Sequence, residues 1–189
     1  MSWWNPRDWY RNLFEQEAGA AFLRRNGAEL RWPRTAFLLS VSTARDLHAG
    51  WDAPIAAAMS VFEVAMGRKP AFLGPVDAIG DLEAIWSDPL RRRGLTRSIH
   101  VVGGDVTVYH GHCDIDSDDR DGTIRSVLVT LPRLPPSWAY EMALHELGHA
   151  LGLGHDPSGS SIMAERLRPG TGQRLSNAEA RLLRAAYGP

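Results

Sequence analysis

The stretch HELGHALGLGH, residues 145–155, gathers His145, His149, His155 and Glu146 into eleven residues. A helical core explains its leucines and alanines, but not three imidazoles and a carboxylate. Residues four apart share a helix face, so His145 and His149 can offer two ring nitrogens to one ion. Gly152 lets the chain leave the helix sharply, and the turn can bring His155 back as a third ligand. Three neutral nitrogens with an open fourth position suit a catalytic zinc. A closed structural site would bring a fourth protein ligand, often a thiolate, and none is nearby in the sequence. Glu146 lies about a hundred degrees around the helix from His145 and need not touch the metal. From there it can take a proton from zinc-bound water and later deliver it to a leaving amine. The competing reading is a core helix with buried histidines, and the third histidine at this distance weighs heavily against it.

The elements that must hold these residues follow from apolar spacing. Asn5 caps a predicted N-terminal helix with Pro6 at its first position; Trp9, Tyr10, Leu13, Phe14, Ala18, Ala21 and Phe22 recur at helical spacing until Asn26 and Gly27 stop the pattern. Docking on the main domain is the plain role for such an amphipathic helix. Contact with a membrane surface or a partner, or a plug in a cleft, are its alternatives. Thr35 to Thr43 reads as a buried strand, Ala53 to Met66 as a helix, and Ala71 to Val76, Ser98 to Val102, Val106 to Tyr109 and Thr123 to Leu131 as further strands. The run LPRLPPS, residues 131–137, breaks the sheet and ends in Ser137, the expected N-cap of a motif helix from about Trp138 to Leu151. Ser176 and Glu179 form a capping-box signature for a final helix ending near Tyr187. Strand, helix and then several strands predict an α/β or α+β sheet domain. The expected division is an N-terminal amphipathic helical extension over residues 1–27 and a single domain over residues 28–189.

The whole chain of 189 residues, 44% apolar and 23% charged, is long enough to bury one sizeable core. Its 21 basic and 22 acidic residues nearly cancel, so no overall field favours nucleic acid or an anionic membrane. The basic run Arg91–Arg93 reads as a solvated loop. One cysteine, Cys113, excludes an internal disulfide framework. No apolar run approaches the ~20 residues of a membrane span. Trp3, Trp4, Pro6, Arg7 and Asp8 occupy the place of a secretory apolar region, so the expectation is a cytoplasmic chain, or one exported by a route without a signal peptide.

At the zinc motif the sequence resembles the metzincin metallopeptidases, whose extended signature is HExxHxxGxxH. Ser161, Ile162, Met163 and Ala164 look like that family's Met-turn, with Met163 beneath the metal. Arg31 and Trp32, the IM pair and the closing LSNAEARLLRAAYG are most similar to a minimal matrixin catalytic domain, of the matrix-metalloproteinase type, over roughly residues 28–189. The resemblance implies an α+β, sandwich-like fold: a twisted mixed five-stranded sheet, an active-site helix, the Met-turn and a C-terminal helix. It also implies a zinc-dependent endopeptidase that binds protein or peptide substrate extended along an edge strand and cuts it with water activated by Glu146. The alternative class is a zinc-binding structural or partner-binding module with little turnover, against which Glu146 beside an open metal position argues.

Some residues depart from the family pattern. Asp156 follows the third histidine where vertebrate matrixins usually have serine and adamalysins aspartate. No pro-segment cysteine is present, and Cys113 reads as a half-buried strand thiol rather than a latency switch. Matrixins often carry structural zinc and calcium. His110 and His112 can share a strand face near His100 or Asp114 and offer a second zinc site, and Asp114, Asp116, Asp118, Asp119 and Asp121 fall at spacings that could hold calcium; the loop lacks the glutamate that completes an EF-hand, and a solvated acidic loop is the plainer reading. Glu141, one turn before His145, reads as a helix-start carboxylate, or as a wall of the pocket for the residue after the cut bond. Arg166 and Arg168 are further candidates for that wall.

Overall fold

The computed structural model describes residues 20–33, 40–44, 47–68, 71–76, 86, 97–104 and 110–189. The N-terminal helix expected before residue 20, the strand parts at 35–39 and 106–109, and the basic run at 91–93 lie outside these residues.

Apolar residues at helical spacing and short β-rich runs build two layers. The strands are β1 (Arg24–Arg25), β2 (Ala28–Glu29), β3 (Ser40–Ala44), β4 (Ala71–Val76), β5 (Ser98–Gly104), β6 (His112–Ser117) and β7 (Ile124–Pro132), and the helices are α1 (Asp52–Met66), α2 (Ala139–Ala150) and α3 (Asn177–Tyr187). The main sheet runs β4-β3-β5-β7-β6. β4, β3, β5 and β7 are mutually parallel, and β6 pairs antiparallel with β7 at one edge. Mixed α+β architecture with this sheet agrees with the expected fold. β7 is buried on nearly every residue, as an interior strand must be, whereas β6 alternates. Cys113, Ile115 and Ser117 are buried, and His112, Asp114 and Asp116 lie half-buried on the other face.

α1 buries Ile55, Ala58, Phe62, Ala65 and Met66 along one stripe and ends where Gly67 turns left-handed at φ 71°. It packs against both α2 and α3. Of α2's twelve residues ten are buried, so this helix runs through the core and carries its polar motif inside. Its N-cap is Trp138, without a side-chain cap, where Ser137 had been expected; residues 137–138 form a turn in which Ala139 N–H bonds Pro136 O at 3.0 Å. The chain leaves α2 through a Schellman motif: Gly152 N–H donates to His149 O and Leu153 N–H to Gly148 O, with Gly152 at φ 92°.

Two aromatic donors satisfy the next carbonyls of that buried helix end. Trp32 Nε1–H donates to Ala150 O and the Tyr187 hydroxyl donates to Leu151 O, both at 2.8 Å. Tyr187→Phe strands a buried carbonyl and should cost about 1–3 kcal/mol, read as a lower denaturant midpoint. An unchanged midpoint would mean that water or relaxation replaces the phenol.

The N-terminal helix expected to run to Asn26 is corrected over residues 20–27. β1 and β2 form a hairpin there, closed by Asn26 and Gly27, both with positive φ (52° and 78°). Asn-Gly is the strong signal for a two-residue turn of this kind, and it outweighs an apolar spacing that fits a helix equally well. Phe22 and Leu23 are buried in the main core, so this part of the expected extension packs with the domain. Among the described residues no helix is long and apolar enough to cross a membrane.

Candidate metal centre

α2 presents His145 and His149 from successive turns, and the Schellman turn returns His155 to them. His149 Nε2 lies 3.0 Å from His145 Nε2 and 3.1 Å from His155 Nε2. A carbonyl can only accept, so the 2.8 Å bonds from His145 Nδ1 to Ile162 O and from His149 Nδ1 to Leu153 O fix a proton on each Nδ1. Their Nε2 atoms then carry lone pairs and face each other across 3.0 Å, an arrangement that is repulsive without a cation between them. Zinc ligands ~2.0–2.1 Å from the ion at tetrahedral angles stand ~3.3 Å apart, close to the spacing here. The donor set therefore fits zinc, and this is the group of potential ligands that converges among the described residues.

Burial sets the charge state of the site. It lowers His145 to about 4, helped by the nearby His155 and opposed by the Ile162 bond. It also holds His149 and His155 below the usual imidazole range. The three rings are therefore neutral at neutral pH and ready to ligate. Glu146 is 6% exposed, and burial pushes its carboxyl up to about 8 against the opposing pull of His112. A cation at the adjacent tripod would favour its carboxylate form. Gly111 makes room for it, because a Cβ there would sit 2.5 Å from Glu146 Cγ.

A cleft of about 670 Å³ opens onto these groups, lined by His110, Gly111 and His112 at the β6 edge, by Trp138 and the tripod, and by Glu165, Arg166 and Leu167 on the far side. Arg166 thus borders the cleft, whereas Arg168 lines a separate depression near the start of α3 and Glu141 is not part of the cleft lining. Met163, fully buried, packs under α2 where only glycine fits: a Cβ on Gly148 would run into Met163 Sδ. The turn is tied down from both sides. Asp156 N–H donates to Met163 O, and Ser161 Oγ accepts from Met163 N–H while donating to Glu179 Oε1 at 2.6 Å. Glu179 Oε2 in turn accepts from Ser176 N–H, so the capping box of α3 doubles as an anchor for the turn. Sequence reading finds the capping box but not this link, which spans eighteen residues.

Gly148→Ala should therefore displace Met163 and cost about 1–3 kcal/mol of stability. Chemical denaturation checks it, and a wild-type midpoint would show that the turn gives way freely.

The remaining candidates lie outside the tripod, His110 and His112 at the wall of the same cleft. His112 pairs with Asp114 at 3.3 Å, and that carboxylate raises the imidazole above its ordinary range. His110 is exposed at the cleft rim. Asp116 shares the half-buried face of β6 with Asp114. Asp118 is held low by the Arg120 amide and then by Arg125, whose Nη2 lies 2.6 Å away, so its role is to close the β6–β7 turn. His100 bonds Ser98 Oγ at 2.7 Å inside the sheet. Cys113 is buried rather than half-buried, and burial pushes its thiol well up.

This geometry coincides with a family signal. Residues 108–188, from the approach to β6 through α3, match the family model of the matrixin peptidases. That span is similar to a matrixin-type metallopeptidase domain. The match supports a zinc metallopeptidase kind of function. No curated protein sequence matches the chain. β6, α2, the turn that bears Met163 and α3 lie inside the matched span; β1 to β5 and α1 precede it.

Proposed function

We propose that the chain is a zinc-dependent endopeptidase that hydrolyses internal peptide bonds. The observation that carries this reading is the tripod of Nε2 atoms with the Glu146 carboxyl buried beside it, at the floor of a cleft bordered by an edge strand. His145, His149 and His155 hold the metal, the first two oriented by carbonyl bonds to Nδ1. Zinc, when bound there, supplies Lewis acidity to the scissile carbonyl and acidifies a water molecule.

Glu146 does the proton work. Its carboxylate takes one proton as the water oxygen adds to the carbonyl carbon, then passes it to the amide nitrogen as the C–N bond breaks; the new carboxylic acid gives its remaining proton to the amine or to solvent, leaving a carboxylate and a protonated amine. The substrate backbone pairs in extended form with the His112 end of the β6 edge. We take the catalytic domain to include the β1–β2 hairpin, since Phe22 and Leu23, which lead into it, share the domain's core.

A peptide blocked at both ends separates endopeptidase from exopeptidase action. The expected result is cleavage between internal residues that stops on chelation and resumes with zinc. No cleavage of any blocked peptide by a folded, zinc-loaded chain would contradict the reading.

A further inference from the structure

The loop from Ala150 to His155 contains two glycines, Gly152 and Gly154. Free glycines would leave a ligand-bearing loop loose, because they lose more conformational freedom on ordering than any other residue. Here the loop is paired along its length with the chain before β1. Leu23 N–H donates to Gly152 O at 2.7 Å, Gly154 N–H donates to Ala21 O at 2.8 Å, and Phe22 and Leu153 form an antiparallel bridge. Leu153 is fully buried, and its carbonyl is the one that orients His149. A Cβ on Gly152 would collide with Leu30 O and meet Phe22 Cδ1 at 3.2 Å, so the loop is pressed directly against the hairpin. Phe22 is held in turn by an edge contact with the Tyr187 ring, at 6.1 Å, and by the Arg31 guanidinium over its face.

We propose that Ala21–Leu23 is a positioning segment of the zinc site, which pins Gly152–Gly154 and so fixes both the orientation of His149 and the return of His155. The inference rests on the tripod being a zinc site. It makes residues ahead of the matrixin-matched span part of the metal-binding apparatus.

The test uses the full chain with three substitutions. Leu23→Pro deletes the donor to Gly152 O, and Phe22→Ala removes the ring that backs Gly152. Arg25→Ala is the control: it breaks the hairpin's bonds to Ser117 Oγ and Ile115 O, on the side away from the loop. Zinc affinity is measured by competition with a chromophoric chelator, and ligand geometry by the visible absorption of the cobalt(II)-substituted protein. Leu23→Pro and Phe22→Ala should weaken zinc binding by about 10–100-fold and alter the cobalt spectrum, as loss of support around metal ligands does elsewhere. Arg25→Ala should lower thermal stability with zinc affinity and spectrum unchanged. If Leu23→Pro fails to fold, Phe22→Ala carries the test. Wild-type affinity and spectrum in folded Phe22→Ala would overturn the proposal, and so would an equal loss in Arg25→Ala. A native chain that takes up no zinc would overturn the peptidase reading and this one with it.

Discussion

Glu146→Gln should leave zinc bound and lower kcat by about 10²–10⁴-fold, the range attributed to a positioned proton-transfer group. The amide keeps the shape of a side chain that Gly111 and the core enclose, but it can neither accept the water proton nor donate one to the leaving amine. KM should change little, because the proposed pairing of substrate with β6 does not involve this carboxylate. Metal content and kinetics on one preparation check this. A variant that turns over normally would remove Glu146 from the chemistry, and one that loses its metal would mean that the carboxylate helps to hold the ion.

His149→Ala should abolish both metal and turnover. His149 is the central member of the tripod, within 3.1 Å of both partners' Nε2 atoms, and its loss leaves two ligands whose lone pairs no longer converge on a shared third. Support groups around a metal typically contribute 10–100-fold in affinity, so a direct ligand should contribute more than about 100-fold. Stability follows by mass action: at free zinc 100 times Kd the native chain gains about 2.7 kcal/mol from binding, and the variant gains almost none. Thermal melts with and without zinc read this directly. An equal zinc-induced shift in His149→Ala would place the ion elsewhere. The two variants therefore fail in different ways, one loaded and one empty.

Much of the site's framework was legible in the sequence because its determinants are local. Spacings of four and six around Gly152 dictate the convergence of three imidazoles, and the Ser176–Glu179 pair dictates where α3 begins. β7 was legible from its β-branched run. The hairpin at Asn26–Gly27 was misread because Ala18, Ala21 and Phe22 continue an apolar helical spacing, while the pairing that decides their conformation lies about 130 residues away, at Gly152–Gly154. The anchoring of Ser161 by Glu179, the fit of Met163 against Gly148 and the space that Gly111 leaves for Glu146 are contacts between elements distant in sequence. No periodicity encodes them. Ser137 lost the cap position to Trp138 for a local reason: the turn after Pro135 and Pro136 carries the chain one residue further before the helix can start.

The most direct test of the central claim is to incubate the purified chain with a loosely structured protein and to read the fragments by mass spectrometry, with and without a zinc chelator and beside the Glu146→Gln variant. Internal cuts are expected from the native chain alone, lost on chelation and restored by zinc. Cuts that persist in the chelator, or that Glu146→Gln makes equally well, would contradict the claim.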